Sequence, residues 1–156
     1  MVEFAKKFLM KNLYTQSLLI IILVISVDQI VKDIFVSGFG LDGECISLVL
    51  TYNYGVAFSM FEFLGDNLKW VQIAILSGVL FYVFKFGERN MILPMAFVFA
   101  GGISNIIDRF TYGAVVDYVY WHCGFDFAIF NFADVMIDFG ILLLLISSFR
   151  ADQKKS

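Results

Sequence analysis

Five aspartates of this 156-residue chain sit where a charge is costly: Asp28, Asp108, Asp117, Asp134 and Asp138 lie inside or beside strongly apolar stretches. Neighbouring carboxylates suit one kind of chemistry. Two of them close together cannot both ionise cheaply, so one keeps a proton and the other does not. The ionised one takes a proton from water while the protonated one donates to a carbonyl oxygen, which is general acid–base hydrolysis without a covalent intermediate. Other catalytic constellations fail. There is no G-x-S-G for a serine nucleophile and no H-E-x-x-H for zinc. The sole histidine, His122, adjoins Cys123, whereas the members of a thiol-protease pair are normally distant in sequence, so His122 reads as a polar loop residue. No metal or cofactor is expected. Whether Cys45 and Cys123 pair is left open by their spacing.

The elements that must position these acids follow from composition. The chain is 60% hydrophobic, 18% aromatic and 16% charged, with a mean hydropathy of +0.84. A soluble domain runs nearer about 45–50% apolar and about 25% charged. A chain of this length cannot hide the excess in its core, because a small domain keeps much of its surface in water. An ordinary soluble enzyme and a disordered tail are excluded. A net charge of −3 with no basic stripe argues against a nucleic-acid partner. The expectation is an all-α membrane protein, residues 1–156 forming one integral membrane domain. Its four transmembrane helices fall at about 13–36, 68–86, 91–107 and 133–149, each near the roughly 20 apolar residues that a bilayer requires. These runs are continuous rather than alternating, which argues against a β-barrel. No small-x-small cleavage site follows the first run, so it reads as an uncleaved span.

Basic residues set the expected orientation. Lys6, Lys7, Lys11, Lys85, Arg89, Arg150, Lys154 and Lys155 fall on one side if four spans alternate, leaving Lys32, Lys69 and Arg109 elsewhere. Both termini are then cytoplasmic. On the opposite side, residues 49–54 and 115–121 are rich in Val, Tyr and Trp, which predicts a small β-rich cap at the outer surface.

Each polar group within the spans has a bland and a functional reading, since a mid-membrane charge costs about 2.5–3.5 kcal/mol on insertion scales. Asp28 and Lys32 are four apart on one helical face, and a structural ion pair is the favoured account. For Asn105, Asp108 and Arg109 the bland account has Arg109 meeting lipid phosphate with Asp108 neutralising it; the functional one has the group orienting a substrate. Asp134 opens the fourth span, where the helix dipole favours an acid, and Asp138 lies one turn deeper. Composition does not choose among Asp108, Asp117, Asp134 and Asp138. A small proton-coupled transporter using Asp28, Asp108 and Asp138 as a relay is the alternative, and a non-catalytic assembly subunit is a third class.

Four motifs together narrow the choice. They are Asp28-Gln29-Ile30-Val31-Lys32; Asn53-Tyr54-Gly55-Val56-Ala57-Phe58; Gly101 to Arg109, continuing through Gly113 to Val115-Val116-Asp117; and Phe130-Asn131-Phe132-Ala133-Asp134 with Ile137 and Gly140. In this order, beside four apolar runs, they resemble the lipoprotein signal peptidase (signal peptidase II) family over nearly the whole chain. The resemblance implies a bacterial inner-membrane aspartyl endopeptidase with its site facing the periplasm. It acts on diacylglyceryl-modified prolipoproteins among membrane lipids, cleaving just before the lipidated Cys, as a monomer. It further implies Asp117 and Asp134 as the catalytic pair, with Asp28, Lys32, Asn53, Gly55, Ala57, Asn105, Asp108, Arg109 and Asn131 binding substrate or supporting the site. Two positions depart from the family pattern. Ser104 stands where Gly is usual, which implies altered close packing, and Ala128 where Pro often precedes the last motif.

Overall fold

The computed structural model describes residues 2–56 and 60–153. The long elements run α1 (Val2–Val36), β1 (Ile46–Asn53), α2 (Leu68–Phe86), α3 (Ile92–Thr111), β2 (Val115–Trp121) and α4 (Phe132–Gln153), with single 3₁₀ segments leading into α2 and α3. Three stretches among the described residues are long and apolar enough to cross a membrane: Glu62–Phe86, Arg89–Thr111 and Phe132–Arg150. Their outward side chains, such as Phe81 and Phe84 on α2, are exposed and apolar, as a lipid-facing surface requires.

α1 begins eleven residues before the apolar segment expected at 13–36, since 13 − 2 = 11. Its sequence contains neither Gly nor Pro, so nothing interrupts the backbone hydrogen-bond ladder between its basic start and its apolar centre. It stops at Gly38, whose φ of 101° suits the left-handed turn that closes a helix. α3 is the central helix and packs against the other three. A Cβ at Gly101 would collide with the carbonyl oxygen of Ala133 in α4, so the α3 and α4 backbones touch, which small residues permit in lipid.

The two β-prone stretches pair with each other. β1 and β2 form an antiparallel ribbon, with Ile46 opposite Trp121 and Asn53 opposite Val115. The register shifts by one between Leu48 and Thr51, so Val49 and Leu50 together face Tyr118. Such a bulge adds twist and re-aims side chains. After β2 the chain turns back, and Phe130 pairs with Val119, which delivers residue 131 to the start of α4. The ribbon is anchored on the helices where the Tyr118 ring stacks on Phe35 at 4.4 Å between centroids.

Cys45 and Cys123 form a disulfide across 78 residues, immediately beyond the Ile46–Trp121 pair. It closes the far end of the ribbon, while α1 and α3 hold the near end. Cys45→Ser is therefore expected to speed amide hydrogen exchange at Ile46–Leu48 and Val119–Trp121 by at least about tenfold. Exchange at Tyr52 and Val116 should change little, and uniform acceleration along both strands would show that the bridge supports the whole cap.

Candidate active site

The site is built on a buried ammonium. Lys32 is 1% exposed, and its Nζ lies 2.7 Å from Asp28 Oδ2, 2.6 Å from Asp108 Oδ2 and 2.9 Å from Asn105 Oδ1. Three donors meet three acceptors, so the charge is fully used. Asp108 is satisfied on its other side by Gln29 Nε2 at 2.8 Å, and its Oδ2 also accepts from the Val116 amide at 3.1 Å. Ser104 donates to Asp28 Oδ2 at 2.7 Å and accepts from Gln29 Nε2 at 3.0 Å. The cluster thus ties α1, α3 and the start of β2 together.

The same cluster reaches the N-terminus of α4, whose first amides have no partner within their own helix. Asp28 Oδ1 accepts from the Ala133 amide at 2.9 Å, and the Tyr118 hydroxyl accepts from Phe132 at 3.0 Å. Asn131 and Asp134 cap each other: the Asp134 amide donates to Asn131 Oδ1 at 2.9 Å, and the Asn131 amide donates to Asp134 Oδ2 at 3.1 Å. This is a reciprocal capping box. The remaining oxygen of Asp134, Oδ1, accepts from Asn105 Nδ2 at 2.8 Å.

Asp117 arrives from β2 on the other side of Asn131. Its Oδ1 accepts from Asn131 Nδ2 at 2.6 Å and its Oδ2 from Asn53 Nδ2 at 3.0 Å. One asparagine therefore contacts both acids, Asp117 through its side chain and Asp134 through its backbone and side chain. Asp117 and Asp134 line a single cavity of about 300 Å³, together with Asn53, Gly55, Asn105 and Arg109. Burial first, and then the negative charge of Asp134, pushes the Asp117 carboxyl up from 3.8 to about 7, against the hydrogen bonds from Asn53 and Asn131 and the charge of Lys32. A carboxyl that shares its proton near neutrality beside a second carboxyl can act as a general acid.

The family model described as signal peptidase (SPase) II matches residues 20–150. The chain is 46% identical over 145 residues to the lipoprotein signal peptidase of Sulfurimonas denitrificans, covering 90% of this chain and 95% of that one. It is 45% identical over 153 residues to the lipoprotein signal peptidase of Helicobacter pylori strain P12, covering 94% and 98%. This chain belongs to the signal peptidase II family. Membership makes it a peptidase. Its fold also matches a solved structure described as a bacterial membrane enzyme determined by the in meso method, with a TM-score of 0.79 and 26% identity, over 91% of this chain and 92% of the other.

Within this signal peptidase II fold the polar residues named from sequence fall into two connected groups. Asp28, Lys32 and Asp108 make the ion cluster, and Asn105 links it to Asp134. Asn53, Asp117 and Asp134 line the cavity, and the fully buried Asn131 holds the two acids from behind it. Ala57 lies outside the described residues. Arg109 does not reach outward to lipid phosphate, and Asp108 neutralises Lys32 rather than Arg109. The Arg109 guanidinium is buried and donates to the Gly55 carbonyl oxygen, which holds the turn after β1 over the cavity. Ser104 and Gln29 are polar members of the cluster that the sequence reading missed. For Ser104 the substitution pattern suggested only a packing change, whereas its hydroxyl is fully engaged. Gln29 falls within the first motif and three residues before Lys32, which is the signal that marks it. Cys123 is bonded to Cys45 and holds no thiol, and His122 Nε2 lies 3.0 Å from Ser47 Oγ.

Two stability predictions follow from this geometry. Lys32→Met leaves Asp28 and Asp108 buried without their cation, and breaking a buried pair in this way costs about 3–5 kcal/mol. Thermal unfolding in detergent should therefore drop sharply, and an unchanged midpoint would mean that the carboxylates find other partners. For Asp117 the sign is opposite at neutral pH. The unfolded chain releases this proton near 3.8 and the folded chain near 7. Between those values the folded state holds a proton that the unfolded state has lost, so its stabilising contribution fades as pH rises from about 4 to about 7. In the same unfolding measurement, the stability of Asp117→Asn relative to the wild type should rise progressively from about pH 4 up to pH 7–8.

Proposed function

We propose that this chain is a membrane aspartyl endopeptidase that removes signal peptides from diacylglyceryl-modified prolipoproteins, cleaving just before the lipidated Cys. The observation that carries the reading is the joint placement of Asp117 and Asp134 on one cavity, each held by Asn131. The relatives named lipoprotein signal peptidase supply the substrate class.

In this mechanism Asp117 carries the shared proton and Asp134 is ionised. A water between them gives its proton to Asp134 as its oxygen attacks the scissile carbonyl carbon. Asp117 protonates the carbonyl oxygen, giving a neutral tetrahedral diol. As the diol collapses, the C–N bond breaks, Asp134 passes its proton to the leaving amine, and one hydroxyl returns a proton to Asp117. No atom of the protein becomes bonded to the substrate. Asn105 and Asn131 fix the Asp134 carboxylate, and Asn53 and Asn131 fix Asp117.

The surroundings extend the proposal. Residues 1–156 act as one membrane domain, with α1 as a fourth span alongside the three apolar helices. The continuous apolar run from Leu18 to Val27 supports this. Both termini are cytoplasmic and the site faces the periplasm across a bacterial inner membrane. The distribution of Lys and Arg supports that orientation, and so does the Cys45–Cys123 bond, because disulfides persist on the oxidising side. The enzyme acts as a monomer among membrane lipids, which keep the lipidated substrate at the depth of the cavity.

The test is incubation of the purified protein in detergent with a diacylglyceryl-modified prolipoprotein, with no ion gradient present. Release of the signal peptide is expected, and no release would overturn the reading. Asp117→Asn and Asp134→Asn should each lower kcat by about 10²–10⁴-fold, and the double variant little further, since the two act as a unit. Asp66→Asn, at an exposed acid, should cleave normally. Cleavage by wild type should also decline as pH rises through about 7, where Asp117 loses its proton.

A further inference from the structure

Two polar side chains on the cavity wall, Gln72 and Asp138, have no role in the network above; Asp138 is exposed, and of the two only Gln72 holds a buried polar atom without a partner among the described residues. Gln72 stands about one turn into α2, whose first residues are otherwise Leu68, Lys69, Trp70 and Val71. It lines the cavity that holds Asp117 and Asp134. Its carboxamide oxygen is buried and has no hydrogen-bond partner among the described residues. A buried carbonyl oxygen left without a donor is costly, so native proteins rarely keep one without a use. Ser17 Oγ is the other such atom, but it lies in α1 against a separate, largely apolar cavity with Tyr14 and Phe99.

The missing donor can be identified from the chemistry of the substrate. A peptide bond is open to attack only where the chain around it is extended, so a signal helix must unwind near its cleavage point. Each unwound residue exposes a backbone N–H that finds no water at membrane depth. The enzyme has to supply an acceptor. The carboxylate oxygens of Asp117 and Asp134 are already occupied by Asn53, Asn105 and Asn131. Gln72 lines the same cavity, and its Oε1 is buried and without a partner among the described residues.

We infer that Gln72 is a substrate-binding residue that accepts a backbone N–H from the unwound end of the signal peptide, on the membrane side of the scissile bond. The inference rests on the peptidase reading above. A backbone N–H is common to nearly all residues, so this contact holds the chain in place without selecting a side chain. It suits an enzyme that takes signal peptides of different sequence.

The experiment uses the purified full chain and a synthetic diacylglyceryl lipopeptide. In a series of analogues, one backbone amide at a time on the signal-peptide side is replaced by an ester, which removes the N–H and keeps the side chain. For wild type, one ester position should raise KM about 3–10-fold with kcat within about twofold, as expected for a contact made equally in ground and transition states. Gln72→Met has similar size and no carbonyl oxygen. It should show the same rise in KM on the all-amide substrate and no further rise with that ester. Gln72→Glu keeps an oxygen acceptor and should restore KM to within about twofold of wild type.

Wild-type KM in Gln72→Met, a loss confined to kcat, or ester and Gln72→Met effects that multiply would each overturn the assignment. If Gln72→Met does not survive purification, the wild-type ester series decides, because no ester-sensitive position would also overturn it. Wild-type protein that leaves the all-amide lipopeptide uncut would instead sink the peptidase reading itself.

Discussion

The interior N-terminus of α4 is the constraint on which the rest of the structure depends. A helix start carries several amides that its own turns cannot satisfy, and at membrane depth water does not supply acceptors. Here the amides of Phe132, Ala133 and Asp134 go to Tyr118, Asp28 and Asn131. Those three acceptors come from β2, from α1 and from the turn just before α4. The helix can end inside the protein only if the cap and α1 are both in place. The same arrangement fixes the Asp134 carboxylate, because its Oδ2 closes the capping box on Asn131. A requirement of folding therefore sets the geometry of a candidate catalytic group.

Lys32 extends this logic to charge. Asp28 is useful to α4 as an ionised acceptor, and an ionised carboxylate that deep needs a cation. Lys32 supplies it and at the same time satisfies Asp108 and Asn105. Asn105 then donates to Asp134, and Asp108 accepts from the start of β2 through Val116. The ion cluster therefore positions both elements that carry the cavity acids without itself lining the cavity. An account in which Asp28 and Asp108 pass protons has to contend with the fact that both are held by the same lysine.

Local features were legible in the sequence and distant partnerships were not. The apolar run at 68–86 is bounded by polar residues at each end, and a helix covers those residues. The Val- and Tyr-rich stretches give the two strands, because β-branched and aromatic residues fit a half-buried ribbon. The Asp28–Lys32 pair is visible as a four-residue spacing on one helix face. The second carboxylate on Lys32 is 76 residues away, and no periodicity announces it. The Cys45–Cys123 bond spans 78 residues and the inward turn of Arg109 depends on a carbonyl at Gly55, so neither leaves a local trace. Hydropathy also fails to limit α1, because helix propensity carries the backbone past the apolar run. Asp117 and Asp134 stood out from Asp108 and Asp138 only through the motif resemblance.

Asp117 shows what such a site costs the fold. Asp117 is buried on β2 opposite Thr51, and burial raises its proton affinity to near neutrality. For stability alone an uncharged residue would avoid the loss that sets in above about pH 4, although an amide could accept from only one of Asn53 and Asn131. Under the proposed mechanism an acid is retained there because its proton is used. The same reasoning applies to Asn131, which spends two N–H groups and one oxygen on keeping the two acids in register. Asparagine fits because it donates and accepts at once, whereas an aspartate in its place would set a third negative charge against the two already there and could not donate to Asp117 in its ionised form. The capping box and the acid pair therefore demand the same residue at position 131, and the start of α4 cannot be optimised for one without fixing the other.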